Sequence, residues 1–243
     1  PVVVNEVARQ KAVFVDDAKF LRKQTNKPIK WALPGPMTMV DTLYDNHYKS
    51  REKLAWEFAK ALNEEARELQ EAGVAIIQFD EPAFNVFFDE VNDWGIAALE
   101  RAIEGLKCET AVHICYGYGT EVVLKWKNAN TDWSHYDATL PLIADSSIDQ
   151  ISIETAASGV DLSVLDCLDG KDVMVGVIDV GTEEVEPAQV VANRIRHAME
   201  HVSAEHLIAC TDCGMVPRSR RSAEGKMNAL AAGAALVNRE LGA

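Results

Sequence analysis

The sequence predicts an α/β fold, a (β/α)8 TIM-like barrel that is N-terminally truncated, with about six βα units present. Three observations predict it. Short β-branched runs alternate with longer amphipathic segments almost from end to end, which implies parallel strands joined by right-handed crossovers. The unusual polar residues Asp80, His113 with Cys115, Glu154, Asp179 and Cys213 each fall at or just beyond the C-terminal end of a different run, and a barrel gathers those ends around one mouth. A chain of 243 residues, 48% hydrophobic, suffices for one such core, so residues 1–243 read as a single barrel domain lacking its first βα units.

The strand candidates, in order, are Ile29–Leu33, Ala75–Phe79, Thr110–Cys115, Ile148–Ile153, Val173–Ile178 and Leu207–Ala209. Val2 to Val7 offers a strand or a hairpin arm but no βα unit. Leu33-Pro34-Gly35-Pro36-Met37-Thr38 reads as a rigid turn in which Gly35 permits close backbone approach to a ligand. Between Ser50 and Gly73 the residues Leu54, Phe58, Leu62, Ala66 and Leu69 recur at helical spacing, and Gly73 suits the C′ position. A second helix opens at Pro187, read as N1, with Val191, Ile195, Ala198 and Val202 facing inward. The last helix places Met227, Leu230, Ala234, Val237 and Leu241 on one stripe. A closed barrel needs about two more strands, whose absence exposes strand edges. The chain as given is therefore expected to be inactive, and either paired with another copy as a possible homo-oligomer or derived from a longer protein.

Composition excludes several classes of function. A formal charge of −14 argues against nucleic acid, which needs clustered Lys and Arg; the run Arg218 to Arg221 is a short solvated turn. No run is apolar enough for a membrane span, and no signal peptide opens the chain, so no membrane is expected as a partner and the location is read as cytoplasmic. Five cysteines, an odd number, turn attention from disulfides to metal or thiol chemistry.

His113-Ile114-Cys115 puts two ligand types on one side of a strand end. Alone the pair reads more readily as a structural histidine and a small buried cysteine. Glu154 shifts that balance, because a carboxylate ending an apolar strand needs a partner. With Cys213 the set offers one imidazole, two thiolates and a carboxylate, which suits Zn2+. Cys210-x-x-Cys213 also admits a redox dithiol, although such a pair normally opens a helix and here Gly214, Met215, Val216 and Pro217 delay one. Cys108 and Cys167 read as structural, and His135, His197, His201 and His206 show no ligand spacing. Asp80-Glu81-Pro82 places two carboxylates at the mouth or else caps a helix, and position alone leaves both open.

Five motifs, in order across essentially the whole chain, resemble a known family: Leu33-Pro34-Gly35-Pro36-Met37-Thr38, Ile77-Gln78-Phe79-Asp80-Glu81-Pro82-Ala83, Val112-His113-Ile114-Cys115-Tyr116, Ile151-Ser152-Ile153-Glu154-Thr155 and Thr211-Asp212-Cys213-Gly214. They are similar to the C-terminal catalytic domain of cobalamin-independent methionine synthase, above all to its short single-domain bacterial relatives. The resemblance implies that His113, Cys115, Glu154 and Cys213 are zinc ligands and that Asp80 holds the amino group of homocysteine. It implies a methyltransferase that makes methionine from homocysteine and a methyl donor. The physical reading agrees: zinc coordination removes the proton of the acceptor thiol, and Glu154, the hardest of the four ligands, is expected to be displaced by the incoming sulfur.

Departures narrow the donor. The family's folate-site tryptophan is matched by Thr42, a folate-contacting glutamate by Val86, and the proton-donating histidine falls where the chain reads Ile178-Asp179-Val180-Gly181. The zinc half of the site is intact and the folate half is not, so the donor is a methyl-folate or, better matched, a methylated corrinoid. Alternatives are transfer to another small thiol such as coenzyme M, or a non-catalytic zinc-stabilised binding domain. The segment from Gly117 to Tyr136 reads as a lid or a packed insertion.

Overall fold

The computed structural model describes residues 1–117, 121–130 and 132–242, with side chains left aside at residues 122–124 and 128. It divides into two compact units, one of Pro1–Ile114 with Asp145–Gln150, the other of Cys115–Ala144 with the chain from Ile151 onward. The Gly117 to Tyr136 segment lies within the second, apart from residues 118–120 and 131, which are outside the described residues.

The first unit runs β1 (Val2–Val3), α1 (Val15–Arg22), β2 (Lys30–Pro34), α2 (Pro36–Asp41), β3 (Tyr44–Asp45), α3 (Arg51–Glu71), β4 (Ile76–Asp80), α4 (Phe88–Glu90), α5 (Ile96–Ile103) and β5 (Glu109–Ile114). Strands β2, β4 and β5 are parallel and adjacent in that order, with Leu33 opposite Phe79 and Phe79 opposite Val112, all three buried. Of the run Val2 to Val7 only two residues form a strand. It pairs in parallel with β3, so it is not a hairpin arm.

Helix α3 begins and ends as predicted. Ser50 caps it by accepting from the Lys53 N–H, and Gly73 takes φ +94°, where a Cβ would be strained. Its buried face is Leu54, Ala55, Ala59, Asn63, Ala66 and Leu69, while Phe58 and Leu62 are only half-buried. Buried polar groups account for that rotation. The Asn63 amide donates to the carbonyls of Ala102 and Glu104 at the end of α5, and Glu65 accepts from the Val13 and Phe14 N–H groups at the start of α1.

The second unit runs α6 (Glu121–Ala129), α7 (His135–Ala144), β6 (Gln150–Glu154), β7 (Asp172–Ile178), α8 (Ala188–Ala198), β8 (Leu207–Thr211) and α9 (Arg220–Leu241). Strands β6, β7 and β8 lie in that order, and the parallel pairing of β7 with β8 shifts register between Gly176 and Ile178. Pro187 is the N-cap of α8 rather than its first residue. The α9 stripe is also corrected: the buried residues are Ser222, Lys226, Ala229, Gly233 and Val237, while Met227 and Leu241 are about half exposed. Close packing explains the choice, since a Cβ on Gly233 would lie 2.6 Å from the Val191 side chain of α8, and Lys226 turns inward to meet Glu186 at 3.0 Å. All six predicted strands exist, three in each unit, displaced by a residue or two at their ends. No helix among the described residues is long and apolar enough to cross a membrane.

Candidate functional site

In the first unit Asp80 ends β4 in register with His113 of β5, half-buried, and accepts from the Gln78 side-chain amide at 2.7 Å. Its neighbour Glu81 turns inward and is fully buried. Its carboxylate accepts from the N–H groups of Met37 and Thr38 at 3.0 and 2.8 Å and from the Thr38 hydroxyl at 2.6 Å. A Cβ on Gly35 would sit 2.1 Å from the Glu81 carboxyl carbon. The close approach predicted at Gly35 is therefore made by Glu81 of the chain itself, and of the two adjacent carboxylates Glu81 is the one that caps a helix.

Burial pushes the Glu81 carboxyl up to about 7 against those three hydrogen bonds, which favour the charged form. Folding thus favours the protonated acid. The stability it supplies is complete below the ordinary value of 4.5 and is lost as pH rises through about 7. Glu81→Gln is expected to remove on the order of 3 kcal/mol of pH dependence across that window, read as urea midpoints between about pH 4 and 8. Superimposable midpoint profiles for the two proteins would show that another group carries the slope.

The second unit brings Cys115, Glu154 and Cys213 to strand ends. Cys115 follows β5 instead of ending it, Glu154 is the last residue of β6, and Cys213 lies two residues past β8. The sulfurs of Cys115 and Cys213 stand 3.7 Å apart. A disulfide would hold them at about 2.05 Å. Two thiolates about 2.3 Å from one tetrahedral ion would be about 3.8 Å apart, so the donor spacing fits zinc. His113, on β5 in the first unit, is itself buried. The hydrogen bond from Cys213, followed by burial, holds the Cys115 thiol well above its ordinary value.

Glu154 has partners of its own. It is fully buried, one carboxylate oxygen accepting from the Tyr116 N–H at 2.9 Å and the other from the Lys127 ammonium of α6. Lys127 has no counterpart among the residues singled out from sequence; a lone lysine in an amphipathic stretch carries no such signal. Asp212 was passed over as well. Buried beside Cys213, it accepts from the N–H groups of Thr155, Ala156 and Ala157 at 3.0, 2.9 and 2.8 Å, tying the loop after β6 to the end of β8. Burial, then the charge of Glu154, raises its carboxyl to about 7. The Asp179 side chain accepts from the Gly181 N–H at 2.6 Å and shapes its own turn.

A second cluster was missed by spacing. His197, Glu200 and His201 bring ligand atoms within 4.8 Å of one another, His197 in the last turn of α8 and the other two in the turn that follows it. They lie toward the surface, with His201 held by Asp166 at 2.8 Å.

Comparison with known proteins agrees with the fold and the motifs. The family model for the catalytic domain of cobalamin-independent synthase matches residues 1–235. A 2-hydroxypropyl-CoM lyase of Xanthobacter autotrophicus is 34% identical over 98% of this chain and 69% of its own. A methionine synthase of Saccharolobus solfataricus is 30% identical over 99% of this chain and 68% of its own. The solved structure of a B12-independent methionine synthase from Shewanella sp. W3-18-1, in complex with selenomethionine, superposes with a TM-score of 0.97 at 64% identity, covering 99% of this chain and 71% of that one. The fold class is accordingly α/β of the TIM-barrel type, as the βα alternation predicts. With motifs, fold and matched length in agreement, the chain belongs to the family of cobalamin-independent methionine synthase catalytic domains, which are methyltransferases.

Proposed function

We propose that this protein transfers a methyl group to the sulfur of homocysteine, using a zinc ion held by His113, Cys115 and Cys213 with Glu154 as a fourth, exchangeable ligand. The observation that carries the reading is the 3.7 Å spacing of two cysteine sulfurs, the separation of two thiolate ligands on a tetrahedral zinc ion. Zinc supplies the acidification: it lowers the pKa of the acceptor thiol, ordinarily near 8.5, so that the nucleophile is available at neutral pH. Asp80, at a strand end in register with His113, offers the amino group of the substrate a carboxylate. Asp212, through its three N–H donors, fixes the loop after β6 and the approach to Cys213. A folate donor would need a proton returned to its leaving nitrogen, and Gly181 stands where the family's histidine would supply it; a corrinoid leaving as its reduced cobalt form needs none.

The donor we infer is a methylated corrinoid rather than a methyl-folate. Thr42 and Val86 replace the folate-contacting residues, and both are exposed. A second reading, another small thiol such as coenzyme M as acceptor, is favoured by the likeness to the 2-hydroxypropyl-CoM lyase. One experiment separates them: the full-length, zinc-loaded protein is incubated with homocysteine or coenzyme M and methyl-cobalamin or methyl-folate, and products are read by mass spectrometry. Methionine from methyl-cobalamin is the expected result; methyl-coenzyme M alone would reassign the acceptor.

Asp80→Asn is expected to raise the homocysteine dissociation constant at least about tenfold while leaving zinc content unchanged. Calorimetry on zinc-loaded protein measures it. An unchanged constant would remove Asp80 from substrate binding.

A further inference from the structure

Lys127 and Glu154 form an ion pair inside the second unit, 7% and 0% exposed respectively. Lys127 takes one carboxylate oxygen and the Tyr116 N–H takes the other. The sulfurs of Cys115 and Cys213, in the same unit, stand 3.7 Å apart.

The lysine is placed there by packing. Helix α6 lies among aromatic rings, with Tyr116 edge-on to Trp133 at 4.9 Å and to Tyr136 at 5.2 Å, and Trp126 tilted against Tyr116 at 6.1 Å. The Tyr136 hydroxyl oxygen also accepts from the Glu154 N–H at 3.1 Å. In the described part of the Gly117 to Tyr136 segment Lys127 and Tyr136 are the buried side chains, and what it delivers to the interior is an ammonium group.

A buried carboxylate is stable beside a cation and strongly unfavourable without one. An exchangeable fourth ligand therefore needs somewhere to go when acceptor sulfur takes its place. We propose that Lys127 is the off-metal partner of Glu154: it receives the carboxylate when the ligand position opens to the acceptor thiol and releases it when the position closes, so that it sets the balance between three-ligand and four-ligand states. The inference rests on the zinc reading above, and it makes Lys127 a positioning residue that acts through Glu154. It predicts opposed effects on two binding constants. Without the ammonium the buried carboxylate loses its cationic partner and stays longer on the metal, so zinc binds more tightly and the acceptor thiol binds less well.

The test uses the whole chain with Lys127→Met, which keeps length and removes charge, and Lys127→Arg, which keeps charge. Zinc affinity is measured by chelator competition in the absence of substrate, homocysteine affinity by calorimetry on zinc-loaded protein, and folding by circular dichroism. Lys127→Met is expected to tighten zinc about tenfold and weaken homocysteine about tenfold, with Lys127→Arg near wild type. Both shifts should vanish in a Glu154→Gln background. A merely structural lysine would lower the thermal midpoint and leave both constants unmoved, or weaken both, and either result overturns the proposal. Should Lys127→Met not fold, Glu154→Gln alone decides: weaker zinc with homocysteine binding unchanged or improved supports exchange, and unchanged zinc overturns it. Failure of the zinc reading is a separate result, namely stoichiometric zinc surviving Cys213→Ser in the wild-type lysine background.

Discussion

Cys213→Ser is expected to reduce zinc from one ion per chain to a small fraction after dialysis against a competing chelator, a loss of at least about a hundredfold in affinity. A hydroxyl at this position is neutral at working pH and hard, so it replaces neither the charge nor the softness of the thiolate. Its partner loses as well, because Cys115, 3.7 Å away, would then face a group that gives the ion nothing in return. Cys210→Ser is the control, since Cys210 is not among the residues whose ligand atoms converge, and its zinc content should match the wild type. The same pair of variants decides against the redox dithiol: a CxxC disulfide requires both cysteines equally, whereas a metal site requires only Cys213.

Strand periodicity and turn chemistry are local, so the order of the βα units, the helix over 51–71 and the glycine at its end could be read directly from sequence. Which face a helix buries depends on partners elsewhere in the chain. Gly233 is chosen by Val191, and Lys226 by Glu186, so the apolar stripe read along α9 was rotated away from the real one. The pairing of Val2–Val3 with Tyr44–Asp45 leaves no mark in either segment, because two-residue strands carry no period. At the candidate site, His113, Cys115 and Cys213 were legible as residue types that rarely occupy strand ends together, and within the second unit the two sulfurs stand 3.7 Å apart. Gly35 was legible as a close approach but not as an approach to Glu81, since sequence says that space is needed without saying what fills it. Lys127 and Asp212 were illegible because common residues acquire their roles only through burial against particular neighbours.

Gly176→Ala is expected to be among the most damaging small substitutions in the second unit. An added Cβ would lie 2.2 Å from the Asp212 carboxylate oxygen, 2.8 Å from the Asp212 Cα and 3.0 Å from the Ile153 carbonyl oxygen. The carboxylate cannot step aside, because three backbone N–H groups hold it, and the other two atoms are main chain. Relief must come from displacing the end of β8, where the register with β7 already shifts between Gly176 and Ile178. Asp212 moves with that end, and Cys213 is the next residue. Over-packing of this kind costs about 3 kcal/mol, and a shift of the sulfur by a few tenths of an ångström should weaken zinc by about tenfold although no ligand has been replaced. Gly214→Ala supplies the comparison, because a methyl there meets nothing within 4 Å and should leave both quantities near wild type although it adjoins Cys213. Urea midpoints and chelator competition on the two variants measure the effects. If Gly176→Ala keeps wild-type stability and zinc affinity, the close contact between β7 and Asp212 does not position the sulfur, and the loop carrying Cys213 must be held by other means.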